Sequence, residues 1–252
     1  MLSINLSNHL AVVTGATGQL GPAIVRTMAD CGAGVVVHYR QNVAMARRLL
    51  TEVRAAGVPG MIAQADVTVE QDVQRMKAEI NKTLGAPDII INNAVTQYAW
   101  ANVLEQPSVD YEGQFRSCVL HNVLMAQAFV PAMLAKKWGR VIAINTECVM
   151  QSLPNQSAYV AGKRGMDGVL RVLAREVGQH QVTVNQVAPG WIISEATSSD
   201  GNDEWYIRQV PLKRRGTNQD VANLVAFLAS DLAGFISGQY IAVSGGNVMP
   251  AV

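Results

Sequence analysis

Short apolar runs alternate with longer amphipathic segments along the whole chain. The runs are continuous rather than alternating, which is typical of strands buried on both faces of a sheet. They predict strands at Leu10–Thr14, Val35–Tyr39, Gly60–Ala65, Asp88–Asn92, Arg140–Asn145, Val182–Ala188 and Gln239–Val243. The segments between them predict helices at Leu20–Cys31, Val43–Ala56, Val69–Leu84, Val109–Lys136, Ala158–Gln179 and Asn218–Ser230. Strict alternation predicts the α/β class, with one doubly wound domain over residues 1–252 and a seven-stranded parallel sheet covered by helices on both faces.

One irregular segment, residues 190–211, interrupts this alternation. It is rich in Ser, Thr, Asp and Gly, and a loop of this length in a compact domain is usually functional. It follows the carboxyl end of a predicted strand, which is where open α/β sheets bind ligands. We therefore interpret residues 190–211 as a lid over a substrate.

The composition excludes several classes of partner. The chain has 252 residues, 49% of them hydrophobic, and a formal net charge of +1 with acids and bases interspersed, which argues against nucleic acid or an anionic membrane. The start shows no basic region followed by an apolar stretch, and no apolar run approaches the roughly 18 residues of a membrane span. The three cysteines stand far apart and suggest neither a disulfide framework nor a metal site. We expect a cytoplasmic protein.

The most informative pair of residues is Tyr159 and Lys163, which are four positions apart on a predicted helix and so share one face. A free tyrosine has a pKa of about 10 and exchanges protons poorly at neutral pH. Because a nearby ammonium group favours the phenolate, we expect Lys163 to lower the pKa of Tyr159 until it can act as a general acid or base. Alone, the pattern also describes an ordinary helix with a surface lysine and a half-buried tyrosine.

Three glycines, Gly15, Gly18 and Gly21, lie between the first predicted strand and the first predicted helix. Such a turn lets the backbone approach a pyrophosphate closely, and the free N–H groups at the start of the helix meet its charge. The alternative is a purely structural connection. Together with the Tyr159–Lys163 pair, the turn predicts a dinucleotide site.

Several spaced motifs together resemble the short-chain dehydrogenase/reductase family in its single-domain, Rossmann-type form. The motifs are Thr14–Gly21, Asp66–Val67, Asn92–Ala94, the set Thr146, Tyr159 and Lys163, Asn185–Gly190 and Ser237–Gly246. The region from Val210 to Gly246 looks most like 3-oxoacyl-acyl-carrier-protein reductases. The resemblance covers essentially the whole chain, and it implies hydride transfer between a nicotinamide and a carbonyl or secondary alcohol.

The resemblance also implies a role for individual residues. Tyr159 would be the general acid or base, Lys163 would hold the nicotinamide ribose, and Thr146 would hydrogen-bond the substrate oxygen. Asp66 would meet the adenine amine. The expected cofactor-binding residues are Gly15, Thr17, Gly18, Leu20, Gly21, Arg40, Asp66, Val67, Asn93, Ala94, Tyr159, Lys163, Pro189, Gly190, Ile192 and Ser194.

Three substitutions depart from the family pattern near the expected cofactor and substrate. Gln19 stands where the second glycine of TGxxxGxG falls, so that the spacing here is TGxxGxxG. Thr146 replaces the usual serine and keeps the hydroxyl with a stiffer χ1. Val95 replaces a glycine and adds bulk where the nicotinamide ribose is expected.

The most serious departure is Cys118, which falls on the position of the family's catalytic asparagine. That asparagine supports a water that relays protons from the lysine to solvent, whereas cysteine is a weak donor and a weak acceptor. Asn122 or His121, one helical turn further on, would be able to hold the water instead. We favour a relay through ordered water alone. A third interpretation makes Cys118 a nucleophile, against the usual role of a buried thiol as a small hydrophobe.

The choice of cofactor depends on the end of the second strand, His38-Tyr39-Arg40. NAD-specific sites place an acid there, on the ribose 2′-hydroxyl, and we expect Tyr39 to take that place. The guanidinium of Arg40 is able to bind a 2′-phosphate bidentately, which favours NADP(H) over NAD(H). The alternative is that Arg40 is a solvated surface charge.

Gly162, Gly165 and Gly168 form a stripe of small residues on the helix that carries Tyr159. Small residues let helices approach closely. The resemblance implies that residues 109–136 and 158–179 pair with a second chain, so we expect a homotetramer or a homodimer.

Three aromatic residues in or near the predicted lid, Trp191, Trp205 and Tyr206, either shape an apolar substrate pocket or simply pack. Two rival functions are compatible with the same fold. One is a catalytically idle NADP-binding regulatory protein. The other is a proton-transferring isomerase or dehydratase.

Overall fold

A computed structural model describes residues 3–193 and 203–249, and they form an α/β fold around one parallel sheet. The strands are β1 Leu10–Val13, β2 Gly34–Tyr39, β3 Gly60–Gln64, β4 Ile89–Asn92, β5 Gly139–Ile144, β6 Val182–Pro189 and β7 Tyr240–Val243. Their order in the sheet is β3-β2-β1-β4-β5-β6-β7, and each neighbouring pair is parallel. The doubly wound, seven-stranded sheet predicted from the sequence is confirmed.

The helices cover both faces of the sheet. They are α1 Gly21–Asp30, α2 Val43–Ala55, α3 Glu70–Thr83, α4 Ser108–Lys136, α5 Cys148–Gln151, α6 Ser157–Val177, α7 Glu204–Gln209 and α8 Asn218–Ala229. One apolar layer packs α1, α2 and α8 against the sheet, and the other packs α3, α4 and α6. Strands β1 and β4 are fully buried between these layers, which explains their continuous Val and Ile sequences.

The predicted ends of the strands and helices agree with the structure to within one or two residues. The structure also contains two short helices that the sequence did not predict. Helix α5 follows β5 directly. Helix α7 lies inside the segment 190–211 that the sequence predicts as irregular. Residues 194–202 of that segment lie outside the described residues, so the structure tests the lid prediction only at its two ends.

Helix α4 is long and apolar enough to cross a membrane by length and composition, contrary to the expectation that no segment would be. However, 61% of its most apolar window is buried inside the fold. Its side chains Leu124, Met125 and Phe129 belong to the hydrophobic core on one face of the sheet. The apolar character of α4 is therefore explained by its place in the core.

The middle of α4, Phe115–Leu120, is a π-helical segment. A wider helical register displaces backbone carbonyls from their usual partners, and nearby side chains bind them instead. The Asn122 amide donates to the carbonyl of Cys118 at 2.7 Å, and Nδ1 of His121 lies 3.1 Å from the carbonyl of Ser117. These contacts stabilise the local change of register within a buried helix.

The glycine stripe on α6 serves contacts within the chain. A Cβ atom on Gly162 would lie 3.0 Å from the backbone oxygen of Gln114, and one on Gly165 would lie 2.9 Å from the side chain of Val119, both on α4. A Cβ on Gly168 would meet nothing within 4 Å. The glycines Gly162 and Gly165 let α6 approach α4 of the same chain. Gly162 is buried by that contact, so the interpretation of the stripe as a surface for a second chain is wrong there, whereas Gly165 is exposed and its part in assembly stays a prediction.

This packing predicts opposite effects for two alanine substitutions on one helix. Gly168→Ala should raise the melting temperature, since alanine favours a helix over glycine by about 1 kcal/mol. Gly162→Ala should lower it, since a methyl group against the backbone of Gln114 costs about 1–3 kcal/mol in overpacking. Thermal denaturation of the two variants beside the wild type checks this, and stabilisation by both substitutions would contradict the close approach.

Candidate active site

The carboxyl ends of the strands open into a cleft of about 970 Å³. It lies where the strand order reverses between β1 and β4, the position at which open α/β sheets bind ligands. The glycine turn after β1 and the Asn-Asn-Ala segment after β4 face each other there. The expected catalytic residues enter the same cleft from β5 and α6.

The glycine turn is built so closely that side chains would not fit. Gly15 has φ of +59°, and a Cβ atom there would lie 2.8 Å from the Cα of Ala94. A Cβ on Gly21 would lie 2.4 Å from the carbonyl oxygen of Ala16, so Gly21 allows α1 to begin directly against the turn. Gly18 lies on the wall of the cleft. The turn thus presents bare backbone and the start of α1 to the cleft, which fits a pyrophosphate.

Polar side chains from the neighbouring strands hold this turn in place. The Asn93 amide donates to the carbonyls of Thr14 and Gly15 at 3.1 and 3.0 Å. The hydroxyl oxygen of Thr14 accepts from the backbone N–H of Asn93 at 2.9 Å and from that of Ala94 at 3.1 Å. The Thr14 hydroxyl also donates to the carbonyl of Ile91 on β4 at 3.3 Å, so five hydrogen bonds, and not apolar contact alone, fix the close approach of β1 and β4.

His38, at the end of β2, connects the turn to β3. Its Nδ1 accepts from the backbone N–H of Gly15 at 3.0 Å, and its Nε2 donates to the carbonyl of Ala65 at 3.1 Å. This pattern needs a neutral imidazole, and burial lowers the pKa of His38 to about 4. His38 also lines the cleft. In the sequence, the only signal of this role is a histidine near the end of an otherwise apolar strand. The contact between His38 and the glycine turn was not predicted from it.

Most of the expected cofactor-binding residues line the cleft together. They are Gly15, Thr17, Gly18, Leu20, Arg40, Asp66, Val67, Asn93, Ala94, Tyr159, Lys163, Pro189, Gly190 and Ile192. Gly21 is buried beneath the turn and does not line the cleft, and Ser194 lies outside the described residues. The bare turn at one end and the hydroxyl groups at the other suit an elongated ligand such as a nicotinamide dinucleotide.

At the end of β2, Arg40 lines the cleft and Tyr39 does not. Alternation along the strand turns Tyr39 into the core with Val35 and Val37. The expectation that Tyr39 takes the place of the ribose-binding acid is therefore wrong. The Arg40 guanidinium lies 3.7 Å from the Asp66 carboxylate, and both groups are partly exposed, so an anion can reach it.

The three expected catalytic side chains converge at the other end of the cleft. Thr146 follows β5, and its backbone carbonyl accepts from the Tyr240 hydroxyl at 2.6 Å. Lys163 is buried, and its ammonium group donates to the carbonyl of Ile144 at 2.5 Å and lies 5.7 Å from the centre of the Tyr159 ring. The Thr146 side chain lies near enough to the Tyr159 hydroxyl to influence its pKa. A substrate oxygen placed between these two hydroxyls would contact both.

The pKa of Tyr159 is raised, not lowered. Burial of the phenol is the largest cause, and the nearby thiols Cys148 and Cys118 act in the same direction, whereas the Thr146 side chain opposes them. Burial also lowers the pKa of Lys163. The expected lowering of the tyrosine pKa by Lys163 is wrong for this structure, because desolvation of the phenolate outweighs an ammonium group that faces the ring and a backbone carbonyl.

Cys118 lies in the π-helical segment of α4 and does not line the cleft. Its side chain is 1% exposed and lies 3.7 Å from the Gln114 side-chain oxygen. Its carbonyl accepts from Asn122, and the Asn122 side-chain oxygen in turn accepts from the Asn92 amide at 2.7 Å. These contacts contradict a nucleophilic role for Cys118. The same hydrogen bonds give the Asn122 side chain structural partners, because its nitrogen donates to Cys118 and its oxygen accepts from Asn92.

A buried carboxylate, Glu147, lies directly after Thr146 on the wall of the cleft. Its two oxygens accept from the Tyr206 hydroxyl at 2.7 Å and from the Asn247 amide at 3.0 Å. The Tyr206 oxygen also accepts from the backbone N–H of Trp191 at 2.8 Å. Burial raises the pKa of Glu147. These bonds join the end of β6, helix α7 and the C-terminal segment around the cleft, and the sequence analysis did not identify Glu147.

Aromatic rings form much of the wall on the Tyr159 side. Tyr98 accepts the backbone N–H of Tyr159 at 2.7 Å, and Trp100 stacks over the Tyr159 ring with centroids 6.0 Å apart. Trp191 and Trp205 also line the cleft, with centroids 5.7 Å apart. The sequence analysis considered Trp191 and Trp205 but missed Tyr98 and Trp100, because nothing in the sequence relates residues 98–100 to Tyr159.

Comparisons of the sequence with known proteins agree with this geometry. A family model described as enoyl-(acyl carrier protein) reductase matches residues 15–247. The 3-oxoacyl-acyl-carrier-protein reductase FabG of Staphylococcus epidermidis is 35% identical over 254 residues, which cover 96% of this chain and 100% of that protein. The FabG of Pseudomonas aeruginosa is 33% identical over 250 residues, which cover 98% of this chain and 100% of that protein.

Two solved structures have nearly the same fold. The promiscuous reductase LugOII, which catalyses keto-reduction at C1 during lugdunomycin biosynthesis, has a TM-score of 0.90 and 26% identity, covering 97% of this chain and 100% of that one. A 7α-hydroxysteroid dehydrogenase in complex with NADH and 7-oxoglycochenodeoxycholic acid has a TM-score of 0.91 and 27% identity, covering 98% of this chain and 97% of that one.

The buried His38 predicts a loss of stability in mild acid. Below pH 6.5 the unfolded chain takes up a proton on this histidine, whereas the folded chain does so only near pH 4. The free energy of unfolding should therefore fall as the pH drops from 6.5 to 4, by up to about 1.4 kcal/mol per pH unit for this one group. Urea unfolding of the wild type and of His38→Gln should show that the difference in their free energies of unfolding shrinks as the pH falls from 6.5 to 4.

His180→Gln, in the turn after α6, is the control for general effects of removing a histidine. An advantage of the wild type over His38→Gln that stays constant from pH 6.5 to 4 would contradict a neutral, buried His38.

Proposed function

The chain belongs to the short-chain dehydrogenase/reductase family of oxidoreductases, and we propose that it is an NADP(H)-dependent carbonyl reductase or alcohol dehydrogenase. The observation that carries this proposal is the convergence of Thr146, Tyr159 and Lys163 in the cleft that begins at the glycine turn. We further propose that residues 1–252 act as one dinucleotide-binding and catalytic domain, with residues 190–211 covering the substrate.

In the proposed mechanism each of the three residues has one task. When bound, the nicotinamide supplies the hydride. Thr146 would donate a hydrogen bond to the substrate oxygen and so orient the carbonyl. Tyr159 would give its proton to that oxygen as negative charge develops on it. Lys163, held by the carbonyl of Ile144, would keep a positive charge beneath the tyrosine ring and beside the nicotinamide ribose.

The environment of Tyr159 supports the reductive direction. Because burial raises its pKa, the phenol holds its proton at neutral pH. That is the form required to protonate an alkoxide during carbonyl reduction. Oxidation of an alcohol would instead require the phenolate, which the same burial disfavours.

The preference for NADP(H) is supported by Arg40. It is the cationic side chain beside the glycine turn, it lines the cleft, and its partner Asp66 lies 3.7 Å away in a partly exposed pair. A guanidinium in this position suits the 2′-phosphate. The remaining cofactor contacts would be those of the cleft-lining residues named above, with Ser194 beside the carboxamide. The related steroid dehydrogenase binds NADH, so this choice rests on Arg40.

We propose that the protein forms a homodimer or a homotetramer through α4 and α6. We also propose that it is cytoplasmic. Three large apolar side chains on these helices are exposed, namely Val109, Phe115 and Val172. Scattered apolar residues are common on surfaces, but those on two helices that pack together can form one patch.

Removing the proposed proton donor should abolish turnover. Tyr159→Phe should lower kcat by about 100- to 10,000-fold, as is typical for the loss of a positioned general acid. The binding of NADPH, measured by fluorescence titration, should change little because only one hydroxyl is removed. Tyr39→Phe, which alters a tyrosine buried away from the cleft, is the matched control. Activity above a few per cent of the wild type in Tyr159→Phe would refute the assignment of Tyr159 as the proton donor.

Reversing the charge at Arg40 should change the cofactor preference. Arg40→Asp should weaken NADPH binding by tenfold or more, since a charge-assisted hydrogen bond is worth about 1.5–3 kcal/mol. NADH, which lacks the 2′-phosphate, should be affected much less. Arg47→Asp, an exposed change on α2 outside the cleft, controls for the general effect of the added negative charge. Equal losses for both cofactors in Arg40→Asp would show that Arg40 does not recognise the phosphate.

A further inference from the structure

Tryptophan is concentrated in the cleft. The chain has four tryptophans, and Trp100, Trp191 and Trp205 all line the cleft. They are 48%, 40% and 50% exposed, respectively. A large aromatic side chain that stays exposed inside a cleft gains little from the fold itself, and such exposure is characteristic of ligand-binding surfaces.

Trp191 is held rigidly in its exposed position. The guanidinium of Arg215 lies 4.2 Å from the centre of its ring, and the ring of Tyr206 meets it edge-on at 5.5 Å. Arg215 is itself buried, and it donates to the carbonyl of Ile192 at 2.9 Å and to the Asp203 carboxylate at 3.2 Å. Because these contacts fix the Trp191 side chain, the binding of a flat molecule against its ring costs little side-chain conformational entropy.

Trp100 brings an aromatic surface to the reacting hydroxyl. Its ring is inclined by 28° to that of Tyr159, at a centroid separation of 6.0 Å. The side chains of Tyr159 and Thr146 line the same part of the cleft and interact electrostatically. A ring system lying against Trp100 would therefore have its edge beside the two hydroxyls that are proposed to bind the substrate oxygen.

The charges in the cleft favour a neutral substrate. Among the described residues that line it, the cations are Arg40 and Lys163, and the carboxylates are Asp66 and Glu147. Arg40 and Asp66 lie together at the end of the cleft formed by the glycine turn. Lys163 donates to a backbone carbonyl, and both oxygens of Glu147 have donors. Among the described residues that line the cleft, therefore, no cation on the tryptophan side remains to bind a carboxylate or a phosphate of a substrate.

We propose that the substrate is a neutral ketone on a flat system of two or more fused rings, held by Trp100, Trp191 and Trp205 with its carbonyl oxygen between Thr146 and Tyr159. This inference rests on the proposed function and narrows it to a class of substrate. In the reaction, the carbonyl carbon gains a hydride and the oxygen gains the Tyr159 proton, while NADPH is oxidised to NADP⁺. A phosphate-tethered linear acyl thioester is the substrate class that this wall does not suit.

Steady-state kinetics on the full-length protein with NADPH tests the proposal. The substrates are 2-tetralone as the fused-ring ketone, and ethyl acetoacetate and acetoacetyl-coenzyme A as linear ones. We expect kcat/KM for 2-tetralone to exceed that of both linear substrates by at least about tenfold, as expected for one or two aromatic contacts. Trp100→Ala and Trp191→Ala should each lower kcat/KM for 2-tetralone by about tenfold, mainly through KM, and should change the value for ethyl acetoacetate by less than about threefold.

Trp138→Phe is the matched control. Trp138 stacks on His9 at 3.9 Å, at the amino ends of β5 and β1 and so away from the cleft at the carboxyl ends, and its substitution should leave both substrates unaffected. Tryptophan fluorescence provides a second measurement. Titration of the protein–NADP⁺ complex with 2-tetralone should quench emission in the wild type and in Trp138→Phe, with weaker binding in the Trp100 and Trp191 variants.

The outcomes separate the two proposals. Reduction of the linear substrates with equal or higher kcat/KM, or equal losses for all substrates in the Trp variants, would overturn the fused-ring proposal and leave the reductase proposal intact. An absence of reduction of any ketone would contradict the reductase proposal. The fluorescence titration would then test the fused-ring proposal independently of turnover. Binding of 2-tetralone that does not depend on Trp100 or Trp191 would overturn that proposal.

Discussion

The close approach of two strand ends is the constraint on which this molecule depends. At the switch point between β1 and β4, the Thr14 hydroxyl and the Asn93 amide together make five hydrogen bonds across the gap. His38 adds one more, which it accepts from the N–H of Gly15. These bonds hold the backbone of the turn in a conformation that only glycine can adopt without collision at Gly15. The turn can therefore expose backbone N–H groups and the start of a helix to the cleft, which is the arrangement that binds a pyrophosphate.

The other end of the cleft is built by burying polar groups under β5 and β6. The Asn145 amide donates to the Gln186 side chain at 2.7 Å, and the Gln186 amide donates to Asp167 at 2.8 Å. This chain of bonds connects the strands to α6, the helix that carries Tyr159 and Lys163. Rigid placement has an electrostatic consequence, since burial raises the pKa of the tyrosine and lowers that of the lysine. The same construction that positions Tyr159 and Lys163 thus influences their protonation, and it favours the protonated phenol that the proposed reduction requires.

Much of this could be predicted from the sequence, because it depends on local patterns. Continuous apolar runs identified all seven strands, and the glycine spacing identified the turn. Which side of a strand a residue faces was harder to predict. Arg40 was expected at the cofactor and does line the cleft, whereas Tyr39, expected at the place of the ribose-binding acid, packs into the core. The pKa of Tyr159 could not be predicted, because spacing on a helix says nothing about depth of burial. The wall formed by Trp100 and Trp191 is also a property of the fold alone, since 91 positions separate these residues in the chain.

The most direct test of the proposed reaction follows the hydride itself. NADPH carrying deuterium at C4, in separate experiments on each face of the nicotinamide, is incubated with the protein and a ketone that it reduces, and the alcohol is analysed by mass spectrometry. The proposed reaction predicts one deuterium on the carbinol carbon from one of the two labelled cofactors, none from the other, and one NADP⁺ formed per alcohol. An alcohol without label from either cofactor, or turnover without oxidation of NADPH, would contradict it.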